Sequence, residues 1–358
     1  MKRINFALIA SLVALLTTAI SCQGTKKSDG TKQEEIELSG AGATFPLPFY
    51  NMIFENYNNK HGSQVAYGGI GSGGGIRNLK DKIVDFAGSD AFISDEEMKA
   101  MPEVIHIPTC MGAVVVAYNL KGVENLILSG DIVADIFSGT ITQWNDPRIK
   151  ALNPKAALPQ SNIVPVFRSD GSGTTSVFTD YLCKVSSSWN AKFGKGKSVN
   201  FPVGQAAKGN PGVAGVIAQT QNAIGYIGSE YAFAQKIPYA SIINANGDIV
   251  KPSKESISNA AAGDIPSDTR TMITNSQNPG AYPISCFTWI VVYKEQNYAN
   301  RSKAQAQGTL DFLKYILSNE AQSMAEKVNY SPLPQKVIKL SKENLQKITY
   351  DNIPLATE

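Results

Sequence analysis

Along this 358-residue chain, short apolar runs repeatedly break into loops of Gly, Ser and Thr that open a helical pattern, and this alternation points to an α/β fold. The fullest instance begins with a strand over Ile163–Phe167, which delivers Arg168-Ser169-Asp170-Gly171-Ser172-Gly173-Thr174-Thr175. Val177, Phe178, Tyr181, Leu182 and Val185 then recur at helical spacing. A helix N-terminus has amides without intrahelical partners and about half a positive charge, so it can hold an oxyanion. Taken alone, the segment reads sooner as a Ser/Thr-capped helix after a turn.

Similar segments occur elsewhere. Leu38 to Pro46 runs from a strand through small residues into a helix carrying Phe49, Met52, Ile53 and Tyr57, which Gly62 ends, so Thr44 sits at a helix start. Val65-Ala66-Tyr67 leads through Gly68–Gly75 into a helix marked by Ile76, Leu79 and Ile83. Those glycines are too continuous for a dinucleotide fingerprint. Ile83 to Asp90 is a strand ending in a carboxylate, followed by a capping box at Ser94-Asp95-Glu96-Glu97. Val104–Pro108 and Met111–Tyr118 read as two buried strands, Ala223–Ile227 and Ile284–Tyr293 as further strands, and Gln307–Glu326 as one amphipathic helix.

The first residues fix the compartment. Lys2 and Arg3 precede an apolar run, Phe6–Ile20, too short for a comfortable membrane span, and Ala19-Ile20-Ser21-Cys22 resembles a bacterial lipoprotein cleavage site. Residues 1–21 are therefore expected to be a lipoprotein signal peptide and Cys22 the lipidated residue. A plain signal peptide with an incidental Cys is the alternative. Residues 22–35, polar throughout, read as a tether. A chain of 43% hydrophobic and 18% charged residues can bury a large core, and its net charge of +3, which includes Lys2 and Arg3, gives no sign of nucleic-acid binding. Cys110, Cys183 and Cys286 cannot all pair and show no Cys-x-x-Cys spacing, and His61 and His106 are isolated. No metal or cofactor is expected.

Gly40-Ala41-Gly42-Ala43-Thr44-Phe45-Pro46, Gly69-Ile70-Gly71-Ser72-Gly73-Gly74-Gly75, Val84-Asp85-Phe86-Ala87-Gly88-Ser89-Asp90 and Arg168 to Thr174, in this order, closely resemble the phosphate-binding proteins of ABC-type phosphate importers. The resemblance extends through Gly209-Asn210-Pro211-Gly212, Ala223-Ile224-Gly225-Tyr226 and Pro332-Leu333-Pro334. It implies a two-lobed periplasmic-binding-protein fold of the type II, Venus-flytrap kind with two crossover strands. Lobe I would take residues 36–110 plus 284–358 and lobe II residues 111–283. It further implies that Thr44, Phe45, Ser72 and Asp90 contact phosphate from lobe I and Arg168, Ser172, Gly173 and Thr174 from lobe II. Asp170 would hold the Arg168 guanidinium. The implied partners are inorganic phosphate and permease subunits, for a monomer held in the bacterial envelope by a palmitate-bearing lipid anchor, on the periplasmic side or at the cell surface. Gly73 departs from the Ser of many relatives, a change expected to loosen that loop.

The residue chemistry agrees. Thr44, Ser72, Ser172 and Thr174 bring hydroxyl donors, Phe45 and Gly173 bring only amides, and Arg168 brings a forked cation. Asp90 beside a dianion is repulsive unless the ligand carries a proton, which hydrogen phosphate has and sulfate lacks. Another tetrahedral oxyanion, arsenate above all, is the nearest rival, separable by competition binding. A phosphoryl-transfer enzyme is the rival from another class: Gly196-Lys197-Ser198 resembles a P-loop end, but Ala191 stands where its first Gly belongs. Ser72 and Ser172 also lie outside any Gly-x-Ser-x-Gly, so no catalysis is expected. A surface lipoprotein that has lost binding is the third, disfavoured by the full set of ligand-type residues.

Overall fold

The expected alternation is realised as a mixed eight-stranded sheet with helical connections in the computed structural model, which describes residues 36–356. Cys22, the leader at 1–21 and the tether at 22–35 lie outside the described residues. The strands of the two larger sheets are β1 (Glu37–Gly42), β2 (Gln64–Gly69), β3 (Phe86–Ser89), β4 (Val104–Tyr118), β5 (Ile127–Leu128), β6 (Val164–Arg168), β7 (Gln205–Ala207), β8 (Ala223–Gly228), β9 (Ser241–Ile243), β10 (Ile249–Val250) and β11 (Ser285–Tyr293). The main sheet runs β2-β1-β3-β11-β4-β8-β6-β7, and β10-β9-β5 form a small separate sheet.

The main sheet has two parallel wings. In one, β1 pairs parallel with β2 and β3, and in the other β6 pairs parallel with β7 and β8. Antiparallel β11 and β4 join them. β4 serves both: Val104–Ala113 pairs with β11 and Val114–Tyr118 with β8, and all 15 of its residues are buried. The two strands expected over this stretch are thus one. The pairing slips where Thr288 faces Cys110 and Trp289 faces Pro108, leaving Thr109 as an extra residue, a bulge beside a proline that cannot donate to the ladder.

Local signals explain several helix ends. The first helix, Leu47–His61, follows Pro46 and stops at Gly62 in the left-handed conformation, φ 61°. Both halves of the Ser94–Glu97 capping box are formed on Asp95–Met98. Gln307–Glu326 is not one helix but parts of two, Lys303–Ile316 and Asn319–Lys327, because the Ser318 hydroxyl caps the second by accepting from the Ala321 amide.

The core is continuous through both wings. Phe54 alone meets the rings of Tyr50, Tyr67, Phe86 and Phe312, and truncating such a residue to Ala costs ~3–5 kcal/mol. Cys110 and Cys286 are buried and unbonded on adjacent strands, and Cys183 is also free. Buried His106 accepts from the Ile93 amide, and burial, aided by the Arg270 charge, lowers its pKa to about 3, so it is neutral.

Candidate functional site

In a parallel sheet, ligand-binding loops gather at the carboxyl ends of the strands, and the wings share such an edge here. Thr44 follows β1, Asp90 is the first residue past β3, Ser72 opens the helix Ser72–Lys80 after β2, and Arg168 ends β6. The next helix, Gly173–Val185, begins earlier than the apolar spacing suggested: Ser172 is its N-cap, accepting from the Thr175 amide at 3.0 Å, and Thr174 lies in its first turn. Side-chain bonds and close backbone approaches bring the eight sequence-derived ligand residues and Asp170 to one place.

All of them except Asp170 are buried, Arg168 being the most exposed at 6%. Across the gap between the wings, the Gly73 amide donates to the Gly171 carbonyl at 2.8 Å. At Gly73 two backbones meet closely: a Cβ there would lie 3.2 Å from Gly171 Cα. A Cβ on Gly173 would lie 2.5 Å from Ser72 Oγ and 2.7 Å from the Asp90 amide.

The polar groups form a donor-rich enclosure. The amides of Thr44, Phe45, Ser72, Gly173 and Thr174 have no protein acceptor among the described residues, as expected at loop ends and first helical turns. The Phe45 ring lies 5.9 Å from that of Tyr330 in the core, so only the backbone of Phe45 serves the enclosure. Ser72 Oγ accepts from the Asp90 amide at 3.4 Å and Ser172 Oγ from the Thr175 amide, which leaves each hydroxyl proton available.

Charge enters through two groups. Arg168 forms a fork with Asp170, Nε to Oδ1 at 2.8 Å and an Nη2 contact to Oδ2 at 2.6 Å. Burial pushes the Asp170 carboxyl up, but the hydrogen bonds and charge of Arg168, with the Gly209 amide, outweigh it and hold the pKa below its ordinary value. Asp90 is different. Its Oδ1 accepts from Thr288 at 2.9 Å and its Oδ2 from Thr174 at 3.3 Å, yet burial dominates these bonds and the Arg168 charge, raising its pKa to about 7. Near neutral pH this carboxyl is therefore present in both its charged and its neutral form.

Several residues here escaped sequence reasoning. Thr288 sits mid-strand in β11, where nothing local marks it. Asn210 lay in a quoted motif with no role attached; it bonds both Thr44 and Thr174. Tyr231 and Tyr330 donate to the carbonyls of Thr44 and Phe45 and so brace that turn. Glu230 is 3% exposed; burial, with the Asp90 charge adding to it, outweighs the help of its own backbone amide and the Tyr330 hydroxyl and raises its pKa well above the ordinary value. Lys197, in the stretch that resembled a P-loop end, ties the rim: its carbonyl accepts from the Ser172 amide and its ammonium pairs with Glu97 at 2.9 Å. Among the described residues, no group of three or more His, Cys, Asp or Glu side chains is placed to hold a metal ion.

Comparisons with known proteins concern the chain as a whole. A family model for a PBP superfamily domain matches residues 24–320. The phosphate-binding protein PstS of Xylella fastidiosa is 36% identical over 353 residues, covering 94% of this chain and 95% of that one. The PstS of Methanocaldococcus jannaschii is 35% identical over 355 residues, 92% of this chain and 91% of that one. Among solved structures, a high-affinity periplasmic phosphate-binding protein with phosphate bound superposes with a TM-score of 0.68 at 21% identity, covering 86% of this chain and 93% of that one, a likeness of fold.

Proposed function

From the premise that this chain belongs to the PBP superfamily, and within it to the PstS phosphate-binding proteins, we propose that it binds hydrogen phosphate between its lobes and delivers it to an ABC-type phosphate importer. The observation that carries this reading is the pairing of a donor-rich enclosure with one carboxyl, Asp90, poised near pH 7. Thr44, Phe45, Ser72 and Asp90 are the contacts assigned to lobe I, residues 36–110 plus 284–358. Arg168, Ser172, Gly173 and Thr174 are those of lobe II, residues 111–283, with Asp170 fixing the guanidinium. Amides and hydroxyls spread the dianion's charge over many dipoles, and Arg168 supplies the one full cation.

Hydrogen phosphate gives its proton to Asp90 as a hydrogen bond, whereas sulfate meets a carboxylate with nothing to share. An unmatched buried charge of this kind is worth discrimination of order a thousandfold. The role is capture and release: phosphate binds between open lobes, closure completes contacts from both sides, and the closed form meets the permease. No reaction is assigned to any of these side chains. Lipid on Cys22 would tether a monomer in the cell envelope, and mass spectrometry of the N-terminal fragment tests that attachment.

The central test is calorimetric titration of the protein, unfolded and refolded first to strip ligand, with phosphate and with sulfate, for wild type and Asp90→Asn. Tight phosphate binding with negligible sulfate binding, and relaxed discrimination in Asp90→Asn, are expected. A folded, stripped protein that ignores phosphate overturns the reading.

A further inference from the structure

Asn210 is fully buried near the start of the helix Gly209–Gln219 and is saturated by hydrogen bonds. Its Oδ1 accepts from the Gly228 amide at 3.0 Å. A backbone amide can only donate, so this bond fixes which way the Asn side chain faces and turns Nδ2 toward the two threonines. Nδ2 donates to Thr44 Oγ1 at 3.0 Å and to Thr174 Oγ1 at 3.1 Å, and the Asn210 backbone amide also donates to Thr44 Oγ1 at 3.0 Å.

This has a definite effect on the hydroxyls. Thr44 Oγ1 accepts two hydrogen bonds, so both its lone pairs are occupied and its single proton must be donated elsewhere. Thr174 Oγ1 likewise accepts from Asn210 and, at 3.4 Å, from Arg168 Nη1, leaving its proton to be donated on the Asp90 side, where Oδ2 lies 3.3 Å away. Both hydroxyls become obligate donors, Thr174 toward Asp90 and Thr44 toward the enclosure, the polarity an anion requires. Thr44 follows β1 in one wing, whereas Thr174 follows β6 in the other, so the fork exists only while the wings are together.

We propose that Asn210 is a positioning residue that locks the Thr44 and Thr174 hydroxyls as donors and thereby links closure to anion affinity. The proposal rests on the reading of this enclosure as the phosphate site. Without the Asn210 side chain the Thr44 hydroxyl keeps only the bond from the Asn210 backbone amide and one lone pair is freed, so its proton is no longer fixed in direction and its contribution to binding shrinks even though the hydroxyl remains.

A double-mutant cycle on phosphate affinity, read by calorimetry on the stripped full chain, tests this. Thr44→Val is expected to weaken binding roughly tenfold to a hundredfold in the wild-type background, and by only about twofold to threefold in Asn210→Ala. Thr44→Ser, which keeps the hydroxyl, should restore most of the loss in the wild-type background. Should Asn210→Ala not fold, Asn210→Ser, too short to span both threonines, takes its place in the cycle. Equal losses for Thr44→Val in both backgrounds, in proteins that fold and bind phosphate, overturn the role of Asn210 while leaving the phosphate reading intact. Failure of the wild type itself to bind phosphate overturns the phosphate reading instead.

Discussion

Thr174 Oγ1 lies 3.3 Å from Asp90 Oδ2, a bond between residues that follow strands in opposite wings of the sheet. It joins the group that supplies a proton to the group that needs one. The pKa of Asp90, raised to about 7 mainly by burial, makes this contact depend on pH. Above that value, on the proposed reading, the carboxylate accepts a hydrogen bond from hydrogen phosphate and repels sulfate. Below it the neutral acid can itself donate to a fully deprotonated oxyanion. Sulfate binding should therefore strengthen roughly tenfold between pH 8 and pH 5, following the protonated fraction. Titration with sulfate at the two pH values checks this, and a flat response counts against it.

Thr288 holds the other Asp90 oxygen at 2.9 Å. Thr288→Val keeps the volume but removes a hydrogen bond to a charged group, worth ~1.5–3 kcal/mol, so phosphate affinity should fall roughly tenfold to a hundredfold. Because the lost bond favours the charged form, the pKa of Asp90 should also rise. Carbon-detected NMR titration of the carboxyl reads that shift directly.

Gly173→Ala adds one methyl group where a Cβ would lie 2.5 Å from Ser72 Oγ. The helix it starts tolerates Ala well, so the cost falls on closure and not on folding. Phosphate affinity is expected to drop about a hundredfold or more while the thermal melt stays within a few degrees of wild type. Small-angle scattering in saturating phosphate should then report a more open form than wild type adopts.

Glu230 gives a stability prediction. Its folded pKa lies above the ordinary carboxyl value, so between the two the folded protein binds more protons than the unfolded chain. Its contribution to stability is full below the ordinary carboxyl range and is lost as pH rises through the folded value. Wild type should therefore lose melting temperature on the alkaline side, and Glu230→Gln, which carries no charge at any pH, should flatten that decline. Parallel melts of the two proteins from pH 5 to pH 9 decide it.

The sequence made the rim of the site readable because rim residues announce themselves locally. Glycines beside hydroxyls and a carboxylate ending an apolar run are visible without knowing what packs against them, and so Thr44, Ser72, Asp90 and Arg168 to Thr174 stood out. Thr288 and Asn210 act through partners 198 and 166 residues away, and a threonine inside a strand looks the same whether it faces a methyl group or a carboxylate. Glu230 was hidden for a similar reason, its burial depending on packing that no short window reveals. β4 was read as two strands because Pro108-Thr109-Cys110 interrupts the pattern; the bulge absorbs that interruption and the sheet runs on.

Where Gly73 meets Gly171, two bare backbones face each other with almost no apolar surface between them. Shutting the molecule at that point gains little from the hydrophobic effect, whose strength scales with the apolar area removed from water. On the proposed reading the anion is the mortar of the joint, and how tightly the protein is shut would be a readable record of whether it is loaded.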